Sequence, residues 1–163
     1  MPKEQGQKII CQNKKAYHDY FILEEYDNTK EDHKRTILEI SSDAEGRMYL
    51  GDLRTTVECI KGFGDNESFN CVYIAYYNDT AVGFISISEN CDYEICSGIR
   101  PKYRGEHLGA LLLQEFSEKI FEKYNEVDEL KLYIDNTNIS SIKSAKLVGY
   151  EEIEDEIYSL RRR

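Results

Sequence analysis

The stretch RPKYRGEHLGALLLQEF, residues 100–116, decides the fold. It follows a β-rich run, carries Gly105 and Gly109, and opens directly into apolar residues at helical spacing. Leu108, Leu112, Phe116 and Ile120 recur every fourth residue with Leu111 beside them, which predicts an amphipathic helix to about Lys123. A strand that turns through glycine into a helix presents unpaired backbone N–H groups at the positive end of the helix dipole. That is an anion site, most naturally for a pyrophosphate. Arg104 can add a charged hydrogen bond there. Taken alone, an ordinary turn before a core helix explains the same residues equally well. Two other phosphate loops are excluded by spacing. No Gly-Lys-Ser/Thr follows a four-residue gap, and no Gly-x-Gly-x-x-Gly opens a first βαβ unit.

The flanking segments extend the pattern in both directions. Residues 92–99, DYEICSGI, read as the strand leading into the loop. Residues 71–88, CVYIAYYNDTAVGFISIS, read as a hairpin turning at Asn78-Asp79, and Gly83 marks a bulge or a close backbone approach. Upstream, residues 19–26 form a first strand. Residues 27–41 form a helix with Thr29 as N-cap and Glu31 and Asp32 in its first turn. Residues 51–64 read as a second helix, capped by Asp52 and ended by Gly62 or Gly64. Downstream come a strand at 129–135, a short helix from Asn138 ended by Gly149, and two short strands in 150–163. The order is βααβββαβαββ, a mixed α/β (α+β) chain with helices flanking a central sheet. One domain over 20–163 with an N-terminal extension over 1–19 is expected.

Composition bounds the function. The chain has 163 residues, 40% of them hydrophobic and 32% charged, which suits one soluble globular domain. Its formal net charge of −10 argues against a phosphate-backbone-binding surface, so nucleic acid is not an expected partner. Such charge favours a cationic small molecule or a basic protein tail, although acidity also simply aids solubility. The start MPKEQGQKII lacks the apolar core of an export signal, and no apolar run approaches the roughly 18 residues of a membrane helix. Cytoplasmic location with reduced thiols is expected for the five cysteines. No metal site is expected, since the three histidines are scattered and no ligand spacing appears.

A second segment, YIDNTNISSIKSAKLVGY at 133–150, sets Asn138, Ser141 and Gly149-Tyr150 at a telling spacing. With RGEHLG from Arg104 to Gly109, it makes the chain similar to the GNAT superfamily of acetyl-CoA-dependent N-acetyltransferases. The cofactor motif of that superfamily is Arg/Gln-x-x-Gly-x-Gly/Ala. The hairpin with AVGFISI and the strand ending in IRPKYRG fit the same pattern, so the resemblance covers about residues 20–160.

The resemblance implies acetyl-CoA as co-substrate and no metal. It implies that the backbone of Arg104, Gly105, Glu106, His107, Leu108, Gly109 and Ala110 holds the pyrophosphate. The strand end at Ser97, Gly98 and Ile99 is expected to pair with the pantetheine arm, with the Ile99 N–H polarising the thioester carbonyl as an oxyanion donor. Asn138 and Ser141 are expected along the pantetheine or phosphate side. The acceptor implied is an amine-bearing small molecule or protein, and homodimers are common in the family.

Two departures stand out. His107 occupies the first motif glycine, where a backbone N–H is the main requirement, so the reading favours an outward side chain over a catalytic one. Ala145 occupies the position where many members carry a tyrosine that protonates the leaving thiolate. No general acid can therefore be carried over, and this is similar to the ribosomal-protein-modifying branch. Glu94 is the candidate base that takes the proton from the amine; equally, it is one exposed position of an alternating strand. Tyr93, Tyr133 and Tyr150 read as packing residues. Tyr73, Tyr76 and Tyr77 suit an acceptor groove or strand packing alike. The expectation is an N-acetyltransferase. An acyl-CoA-binding module without catalysis is the alternative, encouraged by Ala145. Separately, residues 8–26 resemble the opening of the SsrA (tmRNA)-binding proteins; an RNA-binding accessory role rests on that stretch alone.

Overall fold

The computed structural model describes residues 8–12, 20–50, 71–88 and 92–163. The helix expected over 51–64 lies outside them. Among the described residues the strands are β1 (Lys8–Gln12), β2 (Tyr20–Glu25), β3 (Cys71–Tyr77), β4 (Thr80–Ser88), β5 (Glu94–Ile99), β6 (Glu129–Tyr133), β7 (Glu151–Glu154) and β8 (Ile157–Arg161). The helices are α1 (Glu31–Ser42), α2 (Ala44–Leu50), α3 (Leu108–Lys123) and α4 (Ile139–Val148). The strands form one sheet in the order β1-β2-β3-β4-β5-β6-β8-β7. Every pairing is antiparallel except β5 with β6, which α3 connects. Part of the stretch expected as an extension thus forms a strand, since Lys8–Gln12 pairs with β2 along the sheet edge.

The alternation of side chains in β3 sorts the core into two layers. Val72 and Ile74 pack with Ile37 and Ile40 of α1, while Tyr73 and Ala75 pack on the opposite face with Leu112, Phe116 and Ile120 of α3. Both faces are covered, which explains why β4 reads as a continuous apolar run. Each fully buried side chain of this size contributes roughly 1.5–3 kcal/mol before entropy is counted. The Asn78-Asp79 turn has positive φ at both residues (52° and 66°), the twist that a two-residue hairpin requires. Gly83 fulfils both readings offered for it. Ala75 pairs with Gly83 but Tyr76 pairs with Ala81, leaving Val82 as the extra residue of a bulge. A methyl built on Gly83 would lie 2.3 Å from the Gly98 carbonyl oxygen, so β4 and β5 approach closely there.

Helix ends follow local chemistry. The N-cap of α1 is Lys30 rather than Thr29, and it makes no side-chain cap. The Thr29 N–H and hydroxyl both donate to Asp27 Oδ1 (2.9 and 2.7 Å), so Thr29 closes the preceding turn instead. Asn138 caps α4 by accepting from the Ser141 N–H (3.3 Å), which accounts structurally for the Asn-x-x-Ser spacing. Gly149, at φ 116°, ends α4, as expected. The guanidinium of Arg162 donates to the carbonyls of Phe121, Tyr124 and Val127, satisfying the end of α3 and the turn after it.

Candidate active site

The glycine loop is built from both ends. Pro101–Tyr103 make one 3-10 turn, after which Arg104 is extended and Gly105 turns at φ 86°. His107, the N-cap of α3, is left-handed at φ 62° and ψ 15°, a conformation that glycine adopts without strain. Its side chain makes no cap hydrogen bond and the residue is exposed. The first helical bond runs from the Leu111 N–H to the His107 carbonyl (3.1 Å). The N–H groups of Gly105, Glu106, His107, Leu108, Gly109 and Ala110 find no acceptor among the described residues. Six successive donors at a helix N-terminus form a cradle for an anion.

Arg104 points elsewhere than the sequence suggests. Its Nε donates to the Ile99 carbonyl (3.0 Å), and its Nη1 meets Asp43 at 2.8 Å and Glu45 at 3.4 Å. Its guanidinium therefore ties the loop to the α1–α2 corner. That ion pair holds the Asp43 carboxyl below its ordinary range. Beside it, the nearly buried Arg100 grips Glu39 of α1 with Nε and Nη2 (2.9 and 3.1 Å) and the Ala81 carbonyl with Nη1 (2.6 Å). Two arginines thus fix the position of the loop relative to α1.

The sheet opens next to this cradle. β5 and β6 share a single register pair, Glu94 with Lys131, and the Lys131 N–H donates to the Tyr93 carbonyl (3.2 Å). Beyond that pair the strands separate. The Arg100 N–H bonds Val82 of β4, whereas the Tyr93 and Ile99 carbonyls face away from β4. By strand alternation the main-chain groups of Ser97 and Ile99 face the opening. Gly98 sits between them, and a methyl built on it would lie 2.9 Å from Phe84 and 3.1 Å from Leu50 of α2.

Glu94 stands at the closed end of the opening. It is half-buried, and its carboxylate has no hydrogen-bond or ion-pair partner among the described residues. Burial alone raises its pKa above the ordinary carboxyl value. Along β5 it shares a face with Cys96 and Gly98, the face that α1 and α2 cover. Burial pushes the Cys96 thiol up to about 12, which makes it inert as a nucleophile.

Across the opening stands the turn after β6. Thr137 donates its hydroxyl to Asp135 Oδ1 (2.6 Å), and the Tyr49 hydroxyl lies 3.0 Å from Thr137 Oγ1. Tyr49 comes from α2. This helix was not legible in the sequence, because seven residues with a glycine inside carry no periodicity. Gly46 is needed there, since a methyl on it would lie 1.9 Å from the Ile40 carbonyl oxygen. Between α2 and the turn lies a cleft of about 360 Å³, lined by Glu45, Met48, Tyr49, Thr137, Asn138 and Ile139 among others. Asn138 therefore borders the cleft while its carbonyl oxygen caps α4, and Ser141 supplies the capped N–H.

The other singled-out residues resolve into packing, with one exception. Ala145 is fully buried in the core. Tyr150 is buried with its hydroxyl 2.8 Å from Ser117 Oγ. Tyr133 is instead 58% exposed and does not pack. Tyr73 meets Phe116 edge-on, Tyr77 packs beside Phe21, and Tyr76 donates to Asp32, so these three form no common groove.

Comparison with known proteins bears on this arrangement. Residues 26–150 match the model of the acetyltransferase (GNAT) family. The fold is similar to a GNAT-family acetyltransferase from Bacillus anthracis, at 15% identity and TM-score 0.68, covering 86% of this chain and 94% of that one. It is similar to an acetyltransferase from Salmonella typhimurium that modifies the N-terminal serine of ribosomal protein L7/L12, at 11% identity and TM-score 0.64, covering 88% and 95%. It is also similar to an aminoglycoside acetyltransferase in complex with coenzyme A, at 16% identity and TM-score 0.63, covering 80% and 91%. SsrA-binding proteins of Bifidobacterium longum are 41% identical over 58 residues, a longer stretch than residues 8–26. This chain spans 35% of the length of those curated relatives.

Proposed function

The chain belongs to the acetyltransferase (GNAT) family, and on that premise we propose that it transfers the acetyl group of acetyl-CoA directly to a primary amine of a small molecule or protein. The observation that carries this is the cradle of six unpaired N–H groups beside an opening between two parallel strands. Acetyl-CoA, as co-substrate, supplies the acetyl group as a thioester. The N–H groups of Gly105 to Ala110 hold its pyrophosphate. The main-chain groups of Ser97 and Ile99 hydrogen-bond the pantetheine arm as a further strand would.

The thioester carbonyl takes its position from the base. At roughly 3.3 Å per residue, Ile99 lies about 16 Å from Glu94 along β5, and Ser97 about 10 Å. A base at Glu94 works through one water on an amine attacking a carbonyl held by Ser97, whereas Ile99 is a further 6–7 Å away by the same rise. This reading moves the oxyanion donor from Ile99 to the Ser97 N–H and leaves the Ile99 N–H to the arm. Glu94 then takes the proton released by the amine. Its raised pKa suits that task, because a base nearer neutrality holds and releases a proton more evenly. Glu45 at the cleft and Asp135 behind it favour a cationic acceptor.

Acetyl-CoA is expected to raise the melting temperature, and a panel of small amines, polyamines and peptide N-termini to release thiol with at least one member. Absence of any stabilisation by acetyl-CoA or coenzyme A overturns the reading. Stabilisation without thiol release from any amine favours a non-catalytic acyl-CoA-binding module. Binding to SsrA RNA is a second reading, favoured by the 58-residue match and opposed by the net charge of −10.

A further inference from the structure

Loss of the usual tyrosine at Ala145 leaves the departing thiolate without a proton donor on α4. We propose that Tyr49 of α2 supplies that proton from the opposite wall of the cleft, an inference that rests on the acetyltransferase reading of the same site.

Three placements carry it. First, α2 lies across the opening between β5 and β6. Its Leu50 packs on Gly98 of β5, and its Tyr49 reaches Thr137 in the turn after β6, 88 residues away in sequence. Its other end is tied to the glycine loop through Glu45 and Arg104 (3.4 Å) and through the neighbouring Asp43. A phenol on such a bridge lines the cleft beside the opening. Second, the cleft lined by Tyr49, Thr137 and Asn138 gives the hydroxyl access to a ligand. Third, the hydrogen-bond directions are determined. Asp135 is ionised, its pKa lowered chiefly by the Thr137 hydroxyl and then by the Thr137 N–H, so it can only accept. The Thr137 hydroxyl has one proton and donates it to Asp135 (2.6 Å). In the free protein the Tyr49 hydroxyl therefore donates to Thr137, and its proton reaches a ligand in the cleft by turning away from that bond.

The step balances. The amine nitrogen forms a bond to the acetyl carbon and loses one proton to Glu94. The carbon–sulfur bond breaks with its electron pair on sulfur, and sulfur takes the Tyr49 proton. The resulting phenolate accepts from Thr137, which turns from Asp135. Solvent then carries the Glu94 proton back to Tyr49, leaving amide and thiol as products.

The test uses coenzyme A alone and needs no acceptor. The thiol of coenzyme A bound to the full chain is titrated through its ultraviolet thiolate absorbance, in wild type and in Tyr49→Phe. A phenol that donates to sulfur favours the thiolate, so its loss is expected to raise the bound thiol pKa by about one unit or more. Thr137→Val, which removes the acceptor that competes with sulfur for the phenol proton, is expected to move the pKa in the opposite direction and serves if Tyr49→Phe fails to fold. Failure of wild type to bind coenzyme A overturns the acetyltransferase reading and this inference with it. Binding with an unchanged thiol pKa in the variants overturns the Tyr49 assignment and leaves the acetyltransferase reading standing.

Discussion

Replacing His107 by glycine is expected to stabilise the protein, and replacing Gly105 by alanine to destabilise it, although the two residues are neighbours in one loop. Both are left-handed, at φ 62° and 86°. A methyl built on Gly105 meets nothing within 4 Å, so backbone preference alone sets its cost. A non-glycine residue in that conformation costs roughly 1–2 kcal/mol. Glycine widens the unfolded ensemble, which returns about 0.4–1 kcal/mol in the opposite sense. The net is about 0.5–1 kcal/mol in each direction. For a domain of this size that moves the melting temperature by roughly 1–4 °C, upward for His107→Gly and downward for Gly105→Ala. Thermal unfolding by circular dichroism, with and without acetyl-CoA, reads both quantities. The stabilisation by acetyl-CoA is expected to survive in His107→Gly, because the proposed contact is with the N–H alone. A lower melting temperature for His107→Gly, or loss of its response to acetyl-CoA, would refute the backbone reasoning and return a role to the imidazole.

Further outcomes follow from the same geometry. With Glu94 as the proposed base, which acts in its ionised form, activity is expected to rise with pH through a pKa above the ordinary carboxyl range, and Glu94→Gln to flatten that limb of the rate profile. The sign for stability is the reverse: the raised pKa means that ionised Glu94 weakens the fold at neutral pH, and this cost disappears as pH falls through the folded value. Gly83→Ala places a methyl 2.3 Å from the Gly98 carbonyl, so β5 must shift; a loss of about 1–3 kcal/mol in urea unfolding is expected, with weaker acetyl-CoA binding. Arg162→Ala leaves the carbonyls of Phe121 and Val127 without the guanidinium, while that of Tyr124 keeps the Val127 N–H, and should cost roughly 2 kcal/mol by the same measurement.

Much of the fold is legible where a local rule is strong. The Asn78-Asp79 turn, the Gly149 helix end and the glycine loop all depend on backbone chemistry within a few residues. Thr29 misleads because Asp27, two residues away, competes for its hydroxyl and N–H. The candidate site is legible where main-chain groups make it, since those follow from strand parity and helix termini. It is not legible where distant side chains meet. Arg104 reads as a phosphate ligand until Asp43 and Glu45 appear beside it. Tyr49 carries no signal at all in sequence, because both α2 and its partner Thr137 become meaningful only once the chain has folded across the opening.

The single register pair between β5 and β6 has a mechanical consequence. The backbone ladder from β1 to β5 and the ladder of β6, β8 and β7 are joined at the Glu94–Lys131 rung, with the Lys131–Asp92 ion pair (2.8 Å) beside it. Ladder cooperativity is interrupted there, so the last three strands are held to the rest of the sheet chiefly by the shared side-chain core. A ligand arm lying in the gap supplies the missing rungs, and Tyr49 with Thr137 closes the far side like a latch. In hydrogen-exchange terms, occupancy is expected to couple the two ladders, with the largest gain in protection along β6, far from the glycine loop.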